Sequence, residues 1–153
     1  MRLEDERTLA YAEWGDGSGL PIFHYHGSSS SRPEHLLQAE VLDGVRLVTI
    51  DRPGHGLSDF QPERTLLDWP EDVAALADKL EIDRFAVSGW SAGGPNALAC
   101  AYRIPERLTG VGLISSVGPY DRPAATAGMD RFNKVALAMS RRVPWAVNRR
   151  LRR

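Results

Sequence analysis

Val87-Ser88-Gly89-Trp90-Ser91-Ala92-Gly93-Gly94-Pro95 carries the pattern Gly-x-Ser-x-Gly at Gly89, Ser91 and Gly93. Arg84-Phe85-Ala86-Val87 leads into it with strand-type residues, and Asn96-Ala97-Leu98-Ala99-Cys100-Ala101-Tyr102 leads out with helix formers. A Gly/Ser turn of no chemical importance can show the same five residues by chance. The order strand, tight turn, helix separates a working serine turn from that coincidence. In such a turn the serine sits in a strained backbone at the strand's end with its hydroxyl exposed. Glycines two residues to either side let strand and helix pass close together. The helix N-terminus beneath the turn favours negative charge developing beside the serine.

Working outward, strand and helix signals alternate. Thr8-Leu9-Ala10-Tyr11-Ala12-Glu13-Trp14 reads as an edge strand that ends in the turn Gly15-Asp16-Gly17-Ser18-Gly19. Pro21-Ile22-Phe23-His24-Tyr25-His26-Gly27 is a short strand running into the polar loop Ser28-Ser29-Ser30-Ser31-Arg32-Pro33. A helix is expected from about Glu34 to Leu42, with Leu36, Leu37 and Val41 on its apolar face and Gly44 stopping it. Val45-Arg46-Leu47-Val48-Thr49-Ile50 is apolar enough for burial on both faces, as in a parallel sheet. Asp51-Arg52-Pro53-Gly54-His55-Gly56-Leu57-Ser58 closes it with a glycine-rich turn. Thr65 to Leu80 reads as a helix, because Trp69, Val73, Leu76 and Leu80 fall at helical spacing. Leu108 to Ser115 reads as another buried strand. The alternation predicts an α/β fold with a mainly parallel sheet flanked by helices on both faces.

After Ser115 the grammar changes. Ser116 to Gly128 is rich in Gly, Pro and Ala. Met129 to Arg142 reads as an amphipathic helix with Phe132, Val135, Ala136 and Met139 on one side, and Pro144 opens a second helical piece, Trp145-Ala146-Val147-Asn148.

Composition bounds the function classes. The 153 residues suffice for one domain of modest size, and 42% hydrophobic with 25% charged residues is ordinary for a globular protein. A net charge of −1 makes no case for nucleic acid. All 20 acidic residues lie in 1–130, whereas 131–153 hold 8 basic residues and no acid. A solvated helical face is the ordinary reading of that tail, and a membrane-surface contact the sharper one. The single cysteine, Cys100, rules out an internal disulfide and fits a reducing compartment; core packing explains its apolar helical position. No apolar run reaches the length of a membrane span, and the charged Met1–Arg7 segment lacks the apolar core of a signal peptide, so a cytoplasmic location is expected.

Three motifs together resemble the α/β-hydrolase fold superfamily: His26-Gly27-Ser28, Asp51-Arg52-Pro53-Gly54-His55-Gly56-Leu57-Ser58, and Gly89-Trp90-Ser91-Ala92-Gly93. The resemblance covers about residues 8 to 153 and implies the fold's N-terminal part, ending after about its sixth strand. Residues 1–120 would form that core portion and 121–153 the start of a helical cap. It further implies that Ser91 is the nucleophile, at a nucleophile elbow, and that the N–H groups of Ala92 and Ser28 form an oxyanion hole. Gly27 would let the backbone approach a substrate, Gly89 and Gly93 would support the turn, and Trp90 would line the pocket or simply pack. The His before Gly27 is structural in the resembled family. Asp51 and Arg52 are expected to bond to the turn backbone, and His55 to pack there with no second ligand spaced for a metal.

The chain departs from the family in one respect. The family's catalytic acid and histidine follow the nucleophile in that order, and here no histidine occurs after His55. Asp121 could stand in as the acid. A serine without an adjacent base is a weak nucleophile, so the acid and histidine are expected beyond Arg153. The expectation is therefore a serine hydrolase acting through an acyl-enzyme on an ester-like or otherwise activated carbonyl of a small molecule, with no metal or organic cofactor. The alternative is a truncated, inactive member that binds a ligand or needs a partner chain. An open sheet edge would then invite self-association.

Overall fold

The strand-forming stretches assemble as one sheet. The computed structural model describes residues 1–34, 42–119 and 126–142, the side chains of 136, 140 and 141 apart. Its five strands are β1 (Tyr11–Gly15), β2 (Leu20–Tyr25), β3 (Val45–Ile50), β4 (Phe85–Trp90) and β5 (Leu108–Ile114), in spatial order β1-β3-β2-β4-β5. β1 runs antiparallel to β3 at the edge, and the other pairings are parallel. The strand that the resemblance numbers sixth is thus β5 of this chain. Glycines shape the approach to the sheet: a Cβ on Gly19 would lie 2.5 Å from the Gly44 carbonyl carbon, so the two turns could not pass so closely with a side chain there.

Alternation along the strands divides the sheet into two faces. Phe23 and Tyr25 of β2, Val48 and Ile50 of β3, and Phe85 and Val87 of β4 point to one face and are buried. Two helices cover that face. The first, α1 (Trp69–Lys79), presents Trp69, Val73, Leu76 and Ala77; the second, α2 (Gly94–Arg103), presents Ala97 and Cys100. The rings of Phe23 and Phe85 lie 4.4 Å apart, and Trp69 meets Tyr25 edge-on at 5.2 Å. Aromatic burial of this kind dominates a small core. Leu80 packs against the cluster just past the end of α1, as its spacing predicts. β3 is buried from Leu47 to Ile50 on both faces. The helix expected from Glu34 to Leu42 falls almost wholly on 35–41, outside the described residues.

One reading is corrected. Leu108–Ser115 is not a buried strand: Val111, Leu113 and Ile114 are 43%, 46% and 53% exposed. An apolar run is buried only where the fold supplies neighbours. β5 pairs with β4 alone and forms the far edge of the described sheet.

The chain divides into two compact units, Met1–Val117 and Gly118–Arg153. In the second, α3 (Arg131–Arg142) forms where the sequence predicts a helix, and Phe132, Val135 and Met139 are exposed. The segment around Pro144 and Trp145 lies outside the described residues. Among the described residues no helix is long and apolar enough to cross a membrane.

Candidate active site

The sheet order decides where a site can form. From β2 the chain goes to β3 on one side, and from β4 it goes to β5 on the other. The connections leaving the C-terminal ends of β2 and β4 therefore run to opposite sides of the sheet, and such a switch point is where open parallel sheets bind ligands. Tyr25 pairs with Gly89, so the loop after β2 and the turn after β4 emerge side by side although 64 residues separate them in sequence.

Ser91 occupies the turn after β4 with φ +50, a left-handed conformation that an L-residue adopts only under constraint. It opens a 3-10 turn, Ser91–Gly93, that continues directly into α2. The Ser91 carbonyl accepts the Val117 N–H at 3.1 Å. Ala92 is the second residue of the turn, where a helical N–H has no acceptor within the helix. The flanking glycines are required by packing. A Cβ on Gly89 would lie 2.4 Å from the Gly93 carbonyl oxygen, and one on Gly93 would lie 2.1 Å from the Tyr25 carbonyl oxygen. Neither site has room for a methyl group, so strand, turn and neighbouring strand touch through bare backbone.

Gly27 differs. A Cβ there would meet only ordinary contacts, among them the Ser91 Cβ at 3.7 Å and the Trp90 carbonyl oxygen at 3.9 Å. Gly27 thus lies beside the Ser91 turn, and the space a side chain would occupy is space next to Ser91. Ser28 follows in an exposed turn, and Trp90 is 44% exposed.

The peptide groups around Gly27 are tied on both sides. Its N–H donates to Glu34 Oε2 at 3.2 Å. Its carbonyl accepts from His26 Nδ1 at 2.7 Å and from Arg52 Nη2 at 2.9 Å. His26 Nε2 in turn accepts the backbone N–H of Arg52 at 3.1 Å. With Nδ1 donating and Nε2 accepting, His26 is a neutral imidazole. Burial holds its pKa down at about 4 against an ordinary 6.5, with the Arg52 charge adding, and the bond to the Gly27 carbonyl opposes them only in part. His26 is therefore a strut between two loops. The expectation that Arg52 bonds to its own turn is corrected: its side chain reaches across to the β2 loop, because parallel pairing of β2 and β3 brings the two strand ends together.

Asp51 locks the same region. Its side chain is fully buried and accepts from Arg32 Nη1 at 2.5 Å, the Arg32 N–H at 2.6 Å and the Leu57 N–H at 2.9 Å. Gly56 has φ +52, and a Cβ there would strike the Asp51 carboxylate. His24 lies on the other face of the sheet, with Nδ1 2.8 Å from Ser88 Oγ and Nε2 3.9 Å from Glu34 Oε2. His55 packs against the His26 ring at 5.0 Å and bonds weakly to the Pro53 carbonyl at 3.4 Å. Cys100 is buried under the site, its thiol pushed up to about 11 by burial, and faces the Tyr25 hydroxyl at 3.4 Å. Asp121 lies outside the described residues. Among those residues no group of three or more His, Cys, Asp or Glu is placed to hold a metal ion.

A strained serine thus stands at the junction of a parallel strand and a helix, with a glycine loop from the neighbouring strand beside it. The sequence matches the family described as alpha/beta hydrolase fold over residues 21–148. The chain belongs to the alpha/beta hydrolase fold family. Among curated proteins it is similar to a serine hydrolase-like protein of Danio rerio, 32% identical over 109 residues that span 69% of this chain and 33% of that protein. It is likewise similar to a non-heme chloroperoxidase of Streptomyces lividans, 32% identical over 119 residues, 75% of this chain and 43% of that protein. Among solved structures, a thermophilic esterase from Thermogutta terrifontis superposes with a TM-score of 0.69 at 30% identity, covering 79% of this chain and 45% of the esterase. A hydrolase from Pseudomonas aeruginosa gives a TM-score of 0.72 at 25% identity over 91% of this chain and 56% of that one. The hydrolase-fold chain thus spans about half the length of these solved relatives, and less of the curated ones.

Glu34 and the cross-loop role of Arg52 were not found from sequence. The only signal for either was proximity to a motif, Glu34 downstream of the serine loop and Arg52 within the Asp51–Ser58 turn.

Proposed function

We propose that this chain supplies the nucleophile and the oxyanion hole of a serine hydrolase acting on an ester-like or otherwise activated carbonyl. The observation that carries the reading is Ser91 at φ +50, heading a helix and lying beside the Gly27 loop. Ser91 Oγ attacks the carbonyl carbon of a small-molecule substrate. The proton passes to a histidine base, and the developing oxyanion is met by the N–H groups of Ala92 and Ser28. The alcohol leaves with that proton, and water then releases the acyl group from Ser91 by the reverse sequence. Gly27 keeps the approach open, and the exposed Trp90 lines it. Names of similar proteins support the class: hydrolase, esterase and chloroperoxidase. The histidine and its acid are assigned to a part of the protein outside residues 1–153, and residues 121–153 to the start of a helical cap.

One observation favours a second reading, a hydrolase fold that binds without catalysis and pairs through the β5 edge. His24, His26 and His55 are each engaged by partners other than Ser91. A fluorophosphonate probe, applied to the protein together with the part assigned the histidine base, decides between the two. Labelling that disappears in Ser91→Ala supports the hydrolase. Absence of labelling in a folded protein, with dimerisation dependent on the β5 edge, supports the binding module.

A further inference from the structure

The donor assigned to Ser28 belongs to a peptide group whose other half is the Gly27 carbonyl. Cis bonds are absent from the described backbone, so that carbonyl and the Ser28 N–H point in opposite directions within one rigid plane. The carbonyl is held at 2.7 Å by His26 Nδ1 and at 2.9 Å by Arg52 Nη2. Fixing the carbonyl fixes the direction of the N–H. Arg52 is an unusual residue to hold so. Its guanidinium is half-buried, burial lowers its pKa, its Nε has no acceptor, and it makes no ion pair among the described residues. The Glu34 carboxylate attracts this partly desolvated cation without forming an ion pair with it, and its side-chain bond goes to this one carbonyl.

We propose that Arg52, braced through its own N–H by His26, is the positioning residue of the oxyanion hole. It turns the Gly27–Ser28 peptide so that the Ser28 N–H faces the carbonyl oxygen of a substrate at Ser91. The inference rests on the reading of Ser91 as nucleophile and Ser28 as donor, and it names what sets that donor's direction. Glu34 completes the arrangement by holding the Gly27 N–H, which keeps the preceding peptide from rotating with its neighbour.

The test compares Arg52→Met, which keeps the apolar stem and loses the donors, with Arg52→Lys, which returns one donor. Two readouts are taken on each folded variant. The first is the backbone resonances, the Gly27 carbonyl carbon and the Ser28 amide, which need no catalysis. The second is the rate at which a fluorophosphonate labels Ser91. Arg52→Met is expected to shift or broaden the Gly27 and Ser28 signals while Phe85 and Val87 stay put, and to slow labelling by about 100-fold. Arg52→Lys is expected to restore most of both. Wild-type resonances in Arg52→Met, or a labelling rate within twofold of wild type, overturns the proposal. Ser91→Ala separates the two claims. Labelling is measured on the protein together with the part assigned the histidine base; if Ser91→Ala still labels there, or wild type does not, the reading of Ser91 fails, and the resonances alone decide whether Arg52 orients the peptide. Should Arg52→Met not fold, Arg52→Gln takes its place; failure of both to fold makes the arginine purely structural and overturns the proposal.

Discussion

Acidification should unlock the His26 strut, and the size of the effect follows from its surroundings. His26 is buried and neutral, with Nε2 accepting the Arg52 N–H at 3.1 Å. Protonation would set two donors against each other there and place a charge in a buried site beside the Arg52 cation. The folded pKa is about 4 against 6.5 for a free histidine. A folded pKa depressed below the unfolded one means that the unfolded chain binds the proton more readily. The contribution of neutral His26 to stability is therefore complete above pH 6.5 and is lost as pH falls towards 4. At about 1.4 kcal/mol per pH unit, the whole gap is worth about 3 kcal/mol, of which about 2 kcal/mol is gone by pH 5. The assay is urea unfolding followed by tryptophan fluorescence at pH 7.5, 6.5, 5.5 and 5, on wild type and His26→Gln. Glutamine retains an acceptor for Arg52 and does not titrate. Other groups titrate alike in both proteins and cancel in the difference. Wild type should lose about 2 kcal/mol more than the variant between pH 7.5 and 5. Parallel stability curves for the two proteins would refute the assignment of a buried neutral imidazole.

Four further outcomes are expected. Gly93→Ala, whose methyl would sit 2.1 Å from the Tyr25 carbonyl oxygen, should cost more than about 3 kcal/mol in the same unfolding assay. Gly27→Ala, with its nearest contact at 3.6 Å, should change stability by less than about 1 kcal/mol yet block probe access to Ser91. Asp51→Asn leaves Arg32 without its counter-charge at a fully buried site, and a loss of about 2 to 3 kcal/mol in unfolding free energy is expected. Cys100, with its thiol raised to about 11, should resist iodoacetamide at pH 8 in the folded protein and react readily in urea; equal rates would contradict its burial.

Local chemistry was enough to read much of this protein from its sequence. The turn at Gly89-Trp90-Ser91-Ala92-Gly93 is short-range: a strand ends, a helix begins, and two glycines sit where only glycine fits. Helical spacing of Trp69, Val73 and Leu76 likewise announced the buried face of α1. Three features needed the tertiary structure. The exposure of β5 depends on which neighbours the sheet supplies, and its apolar run carries no record of them. The nearness of Gly27 to Ser91 follows from parallel pairing of β2 and β4, a contact across 64 residues that residue spacing cannot encode. The grip of Arg52 on the Gly27 carbonyl depends on a long side chain choosing among several backbone acceptors. Sequence by itself determined the elements and the serine, because periodicity and steric need act within a few residues. Only the packed sheet decided what faces that serine, because a site made from separate strand ends exists nowhere along the chain.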